Sequence, residues 1–308
     1  MRGGSWAVHG QQGAIQQREV HQMITPTMFT EQLVFTTVRI ETTLKDGNTG
    51  VGTGFFFNMK VDDNRTLPLI VTSKHVAKDT TKGRFQLHEA LPGASPPKPS
   101  GQFFTVELDN FESQWIPHPD PAVDLCAMPF QPLRARAEVA GKAIFNVSFH
   151  EGLILSGKQL EELSAVEDIL FVGYPTGLWD EKNNLPLIRR GVTASHPALD
   201  FGGRPVFVID AACFPGSSGS PVLLANLGSY YTKDGSLVVG TRVALLGVLY
   251  AGPEMTVEGS IVARPIPTTV LPASITRVMI HLGYVIKAKE IVTLGSHVIL
   301  EAENRGWL

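Results

Sequence analysis

The segment Phe214–Pro221 (FPGSSGSP) has the composition expected around a serine nucleophile. Such a serine needs an exposed hydroxyl, a nearby base, and backbone N–H groups that face the oxyanion formed during attack on a carbonyl. Small residues on both sides of Ser218 allow the chain to turn tightly enough for neighbouring amides to converge. Gly/Ser turns are also common between strands, so this segment alone supports catalysis no more strongly than a simple turn.

His75 and Asp124 could supply the base and the carboxylate that orients it. His75 follows the apolar run Leu69–Val71, at what the sequence predicts to be the end of a buried strand. Asp124 precedes the apolar run Leu125–Phe130, where an unpaired charge is costly and a histidine N–H would be a suitable partner. Each residue also has an ordinary interpretation, as a core or surface histidine and as a strand cap. It is the ordered trio with Ser218 that favours catalysis.

Together the three segments resemble trypsin-like peptidases. GSSGSP around Ser218 resembles the signature G-x-S-G-[GS]-P, TSKHV around His75 resembles T-A-A-H, and DPAVDLCAM resembles the strand that delivers the aspartate. The chain order His, Asp, Ser matches this class. GTGFFF before His75 and the Gly-Tyr-Pro at 173–175 are similar to bacterial members of the group. The resemblance covers approximately residues 30–285.

The resemblance implies a role for each matched residue. Ser218 would be the nucleophile, His75 its general base and later acid, and Asp124 the group that orients His75. The backbone N–H groups of Gly216 and Ser218 would form the oxyanion hole. The implied reaction is hydrolysis of peptide bonds through an acyl-enzyme, with no metal and no organic cofactor. The expected partner is therefore a protein or peptide substrate.

The resemblance also implies the lining of the primary substrate pocket. Ala212 would lie at its base without a charge, so strict cleavage after Arg or Lys is not expected. Leu249 stands where glutamate-specific relatives have a histidine, so a preference for glutamate is not expected either. The remaining expectation is that the pocket binds a small or medium apolar side chain of the substrate. The implied pocket residues are Ala212, Cys213, Tyr250, Ala251 and Gly252.

Two positions depart from the family pattern. Ser217 replaces the aspartate that pairs with a newly cleaved N-terminus in zymogen-activated relatives, so that route of activation is not expected. Ser73 and Lys74 replace the two alanines before His75. In a strand, Lys74 would face away from the histidine, and no loss of function is expected from it.

The rest of the chain predicts the elements that position these residues. Short runs rich in Val, Ile, Thr and aromatic residues recur between Gly and Pro turns, which is typical of an all-β protein. Together with the resemblance, this pattern predicts two antiparallel Greek-key β-barrels of chymotrypsin type and a C-terminal α-helix. Apolar residues from Ile275 to Leu282 recur at helical spacing between Pro272 and Gly283, which places that helix there.

The expected division of the chain has four parts. Residues 1–27 are a polar, flexible leader, 28–135 the barrel with His75 and Asp124, 136–271 the barrel with Ser218, and 272–308 the helix and tail. The leader and the tail from Lys289 onward are either contacts for a regulatory protein partner or peripheral decoration.

Composition restricts the class of protein. With 308 residues, 43% hydrophobic and 18% charged, the chain is typical of a soluble globular protein, and its net charge of −3 does not indicate binding to nucleic acid or membrane. Neither a signal peptide nor a membrane span is recognised, so the cytoplasm is the expected location. Cys126 and Cys213 are expected as free buried thiols, although a single bridge between them also fits.

Two other functions fit parts of the sequence. An α/β-hydrolase esterase also places a serine on a sharp turn and would use Asp234 with His281 or His297. Against it, Ser220 replaces the second glycine of G-x-S-x-G, and few of the helices that a parallel sheet needs are predicted. The second is a catalytically silent or latent protease fold that binds peptides or a partner, because an unformed oxyanion hole would leave the intact trio inactive.

Overall fold

The computed structural model describes residues 23–252, 254–258, 275–279 and 281–304. Single-turn 3-10 helices lie at Phe111–Gln114, Glu151–Leu153, Pro175–Gly177 and Phe201–Gly203. The α-helices are α1 Phe29–Leu33, α2 Lys74–Ala77, α3 Gln131–Val139, α4 Gly157–Glu161 and α5 Lys289–Asn304. The strands are β1 Thr37–Leu44, β2 Thr49–Lys60, β3 Thr66–Thr72, β4 Thr80–Ala90, β5 Pro99–Asp109, β6 Ile116–Pro117, β7 Cys126–Pro129, β8 Phe149–His150, β9 Asp168–Gly173, β10 Leu187–Thr193, β11 Val206–Asp210, β12 Pro221–Asn226, β13 Ser229–Tyr231, β14 Leu237–Val239, β15 Arg242–Ala251, β16 Glu254–Glu258, β17 Ile275–Met279 and β18 Leu282–Lys287.

The first half of the chain forms an eight-stranded sheet in the order β5-β4-β1-β2-β3-β7-β6, with β8 added in parallel to β2. Successive side chains of a strand point to opposite faces, and the three phenylalanines of β2 show the result. Phe56 packs into a cluster with Ile40, while Phe55 and Phe57 pack into a second cluster on the other face. Both faces of this strand are therefore buried, which explains its continuous apolar run.

The second half forms a closed barrel of six strands in the order β10-β11-β18-β15-β12-β9. Its interior holds Ile169 and Phe171 from β9, Phe207 from β11 and Leu224 from β12. All six residues of β12 are buried. This strand leads directly away from Ser218, so the barrel core anchors one end of the candidate nucleophile loop.

Helix α5 packs where the two halves meet. Ile291, Leu294 and Val298 occur at i, i+3 and i+7 and lie on its buried face. They share one cluster with Val71 of the first sheet and Val248 of the barrel. Burial of each such side chain contributes about 1.5–3 kcal/mol, so the helix is part of the common core.

The predicted all-β fold with a C-terminal helix is confirmed, but the predicted position of that helix is wrong. Residues 275–279 and 282–287 form β17 and β18, and the helix lies at Lys289–Asn304. The run Ile275–Leu282 is short and rich in β-branched residues, and such runs fit a strand as well as a helix. Because β18 closes the barrel, the barrel extends past residue 271. Residues 1–22 of the expected leader and Pro272 lie outside the described residues.

Cys126 and Cys213 are both free and buried, which confirms the prediction of two free thiols.

The α/β-hydrolase alternative is wrong, because the ladders of the two large sheets are antiparallel except for the short β2–β8 pair. In the part of the chain that the structure describes, none of the α-helices has the length and apolarity needed to cross a bilayer.

Candidate active site

His75 lies on α2, a single helical turn that begins two residues after β3 ends. The expectation that the neighbouring Lys74 lies in a strand is therefore wrong. Lys74 does point away from the histidine ring, because its Nζ donates to the backbone oxygens of Asp120 at 3.4 Å and Pro121 at 3.0 Å. The lysine thus ties the turn that carries His75 to the loop that precedes β7.

Asp124 makes two hydrogen bonds to His75. Its Oδ2 lies 2.6 Å from His75 Nδ1, and its Oδ1 accepts the backbone N–H of His75 at 3.1 Å. The side chains of His75 and Asp124 are 47% and 24% exposed, so the pair lies at the surface rather than in the core. With Nδ1–H directed to the carboxylate, the neutral ring keeps Nε2 free to accept a proton.

The loop that carries Asp124 is held by its own hydrogen bonds. The backbone N–H of His118 donates to Leu125 O at 2.9 Å, which closes the loop. Inside it, Asp120 Oδ1 accepts the N–H of Ala122 at 2.8 Å. These hydrogen bonds fix the orientation of the Asp124 side chain.

Two glycines with left-handed backbone angles shape the loop around Ser218. Gly216 has φ +88° and Gly219 has φ +89°. A Cβ atom at Gly216 would collide with the carbonyl oxygen of Tyr174, and one at Gly219 with the carbonyl oxygen of Thr53. Both positions therefore need glycine for conformation and for space.

Thr53 of β2 binds the Ser218 loop to the first sheet. Its Oγ1 donates to Gly216 O at 2.9 Å and accepts the N–H of Tyr174 at 3.2 Å. Its backbone N–H donates to Ser218 O at 2.9 Å, and its carbonyl accepts Thr72 Oγ1 at 2.7 Å. Sequence reasoning did not single out Thr53; its signal was the GTGFFF motif, which was used only for the resemblance.

The Ser218 hydroxyl donates to Tyr250 O at 3.4 Å. Although Ser218 and His75 are both described, no hydrogen bond joins them. The backbone N–H groups of Gly216 and Ser218 have no acceptor among the described residues. These two amides are therefore free to bind an oxygen atom of a ligand.

The residues expected to line a pocket follow β11 and end β15. Cys213 is 3% exposed, and burial raises the pKa of its thiol to about 11. Burial also raises the pKa of Tyr250, which is half-buried. Neither group is poised to ionise near neutral pH. The remaining members are Ala212, Ala251 and Gly252, which are all partly exposed.

The residues of the α/β-hydrolase alternative do not join this site as a set. Asp234 lies in the exposed turn between β13 and β14 and accepts from Thr232. His297 lies on α5, and only His281 approaches the loop, with its ring 6.2 Å from the Phe214 ring. Among the described residues, no three His, Cys, Asp or Glu side chains are grouped as a metal site would require.

The sequence matches the family model of the trypsin-like peptidase domain over residues 52–231. The chain belongs to this family. The matched range is more than half of the chain, and it includes His75, Asp124 and Ser218. The family match and the β architecture together show that this trypsin-like peptidase domain has a serine protease fold.

The chain is similar to several solved structures of proteases. The Rv3671c protease of M. tuberculosis H37Rv, as an inactive serine-to-alanine variant, is 15% identical, with a TM-score of 0.40 and coverage of 86% of this chain and 87% of that one. Its active form is 14% identical, with a TM-score of 0.42 and coverage of 87% and 82%. The HtrA-type protease AlgW with a tripeptide is 14% identical, with a TM-score of 0.42 and coverage of 90% and 63%. A search of curated proteins found no match to the sequence.

Proposed function

We propose that this trypsin-like peptidase domain is a serine endopeptidase with Ser218 as nucleophile, His75 as base and Asp124 as the orienting carboxylate. The observation that carries the proposal is the doubly bonded pair of His75 and Asp124. The Asp124 carboxylate accepts hydrogen bonds from both the ring Nδ1–H and the backbone N–H of His75, at 2.6 and 3.1 Å. This arrangement suits a general base, because it presents Nε2 and stabilises the imidazolium that forms when Nε2 takes a proton.

The reaction would proceed in two halves. As Ser218 Oγ attacks the peptide carbonyl carbon, its proton passes to His75 Nε2. The N–H groups of Gly216 and Ser218 would bind the resulting oxyanion, a contribution of about 3–4 kcal/mol per donor in such sites. The C–N bond then breaks, the amine takes the proton from His75, and Ser218 holds the acyl group as an ester. Water, deprotonated by His75, attacks the ester, and the proton returns to Ser218 Oγ as the acid leaves.

The orientation of Ser218 favours a second candidate, a latent or binding-only protease fold. The hydroxyl bonds to Tyr250 O at 3.4 Å and not to His75, so catalysis requires the hydroxyl to leave this bond and turn to His75 Nε2. A hydrogen bond of this length is weak, and rotation of a serine side chain is fast. The endopeptidase remains the better-supported function.

The test is covalent labelling with a fluorophosphonate probe, read by intact mass. Addition of one probe to the parent protein and none to Ser218→Ala supports an activated serine. His75→Ala should slow labelling strongly, because the base is lost while the nucleophile stays. A folded parent that is not labelled contradicts the endopeptidase and supports the latent or binding-only fold.

A further inference from the structure

A continuous surface of three aromatic side chains and one arginine starts beside Ser218. The Tyr250 and Tyr284 ring centroids are 6.4 Å apart, and the Phe201 ring lies 6.1 Å from Tyr284. The Arg204 guanidinium carbon lies 5.6 Å from the centre of the Tyr284 ring. We call Tyr250, Tyr284, Phe201 and Arg204 the aromatic shelf.

The shelf is connected to the candidate nucleophile through the backbone. Tyr250 O is the atom that accepts from the Ser218 hydroxyl. The next residue, Ala251, pairs with Tyr284 across β15 and β18. On the other edge of β15, Leu249 N donates to Ser220 O at 2.9 Å and Leu249 O accepts from Gly219 N at 2.7 Å, so among the described residues only Tyr250 and Ala251, the end of the strand beside Ser218, lack a partner strand on that edge. An extended peptide that adds to such an edge passes the shelf.

The shelf is partly exposed and carries a cation without a described counter-ion. Phe201 is 43% exposed, and Tyr250 and Tyr284 are half-buried. Arg204 is exposed, and no described carboxylate lies within ion-pair distance of it. The nearby Asp200 binds Lys287 at 2.7 Å, so it does not neutralise Arg204. Grouped exposed aromatics beside an unpaired cation are typical of a binding surface.

We propose that the aromatic shelf selects peptide substrates that carry an aromatic residue and an acidic residue at alternate positions, two to four residues before the cleaved bond. This rests on the proposed function for the direction of the peptide. Extended chains rise about 3.3 Å per residue, and alternate side chains share a face. The ring-to-ring steps of 6.4 and 6.1 Å therefore each match two residues of such a peptide. An aromatic side chain packs on Phe201 and Tyr284, and a carboxylate pairs with Arg204.

The first experiment measures binding without requiring catalysis. Ser218→Ala protein is titrated with fluorescein-labelled hexapeptides in which a Phe-Ala-Glu motif is moved through an Ala/Gly background. We expect at least one register to bind tighter than the plain background peptide. The Phe contribution should be about fivefold and should be lost in Phe201→Ala. The Glu contribution should be about threefold, weaken with salt, and disappear in Arg204→Gln.

The matched control is Arg190→Gln, which removes an exposed arginine of the same barrel that pairs with Asp168. It should leave the preference for Phe-Ala-Glu unchanged. Equal affinity for all registers, or the same loss in Arg190→Gln as in Arg204→Gln, overturns the proposal. A Phe201→Ala protein with unchanged preference overturns its aromatic part.

Labelling of the parent protein by the fluorophosphonate probe separates this result from the proposed function. Labelling without a preference for Phe-Ala-Glu means that the serine is activated and the shelf proposal is wrong. A preference without labelling means that the shelf binds peptides and the enzyme proposal is wrong.

Discussion

His118 Nε2 lies 3.3 Å from Glu290 Oε2, and this contact joins the loop before Asp124 to the first turn of α5. The two side chains are only 2% and 13% exposed. On its other side the His118 ring accepts the N–H of Asp120 through Nδ1 at 3.0 Å. The helix that follows the barrel in sequence therefore supports the loop that presents the candidate catalytic carboxylate.

Glu290→Ala is expected to loosen this loop. Removal of the carboxylate takes away the acidic group that lies 3.3 Å from the buried Nε2 outside hydrogen-bond geometry, and it should lower the free energy of unfolding by about 1 kcal/mol or less. In ¹H NMR, the downfield signal of the His75 Nδ1 proton should weaken or broaden, because Asp124 is less well held. Glu290→Gln keeps an acceptor and should retain most of the signal. Glu303→Ala, at an exposed site on the same helix, is the control, and an equal effect there would disprove the role of Glu290.

Gly216→Ala should disable the Ser218 loop. The new Cβ meets the Tyr174 carbonyl oxygen at a left-handed φ, so the loop must move and the two candidate oxyanion amides diverge. We expect at least a hundredfold slower fluorophosphonate labelling, in line with the loss of an oxyanion donor.

The matched control for this substitution is Gly235→Ala. Gly235 also has positive φ, at +84°, but a Cβ there meets nothing within 4 Å. Gly235→Ala should lower the free energy of unfolding by about 1–2 kcal/mol through backbone strain alone and should leave the labelling rate unchanged. Equal loss of labelling in the two variants would mean that backbone strain, and not the site, is responsible.

Thr53→Val should uncouple the Ser218 loop from the first sheet. Valine keeps the shape of threonine but removes the hydroxyl that donates to Gly216 O and accepts from the N–H of Tyr174. We expect about 1–3 kcal/mol of lost stability and about tenfold slower labelling. Thr53→Ser restores the hydroxyl and should recover most of both. Failure of serine to rescue would show that packing, rather than the hydrogen bonds, is what matters.

His88 is buried in the first sheet in its neutral form. Its Nε2 lies 3.0 Å from Asn184 O, its Nδ1 has no partner, and edge contacts with the rings of Phe35 and Phe103 surround it. Burial lowers the pKa of His88 from 6.5 to about 4. Between these two values the unfolded chain binds a proton that the folded chain does not. Stability should therefore fall as pH falls from 6.5 towards 4, by roughly 2–3 kcal/mol from this residue.

Urea unfolding at pH 7.5 and 4.5 measures this dependence. His88→Gln should be less stable at pH 7.5 but should lose much less stability on acidification. His150→Gln removes an exposed histidine and should keep the parent dependence. An unchanged acid dependence in His88→Gln would exclude His88 as its source.

Local patterns were sufficient for the elements whose neighbours in sequence also determine their burial. The three phenylalanines of β2 and the apolar run before His75 predicted strands because each strand carries its own periodicity. The segment around Ser218 was recognisable because Gly216 and Gly219 meet a backbone requirement that is visible in the residue types themselves.

Contacts between distant segments could not be predicted in this way. Nothing near His118 in the sequence indicates that Glu290 will lie beside it, and Tyr284 meets Ala251 only through the register of β18. The run Ile275–Leu282 fitted both a helix and a strand, and it is the pairing of β17 with β16 and of Leu282 with Asp210 in the barrel that decides for the strand. The apolar spacing of α5 was present in the tail, but its importance depends on the cluster that it completes.

The position of α5 has a consequence for synthesis of the protein. Ribosomes release a chain from its N-terminus, so both sheets emerge before Ile291, Leu294 and Val298 can cover the cluster that they share. Until then the loop of Asp124 lacks the support of Glu290. A nascent chain would therefore carry His75 and Ser218 before Asp124 is fully supported, and under the proposed function it could hydrolyse peptides only after the helix has left the exit tunnel.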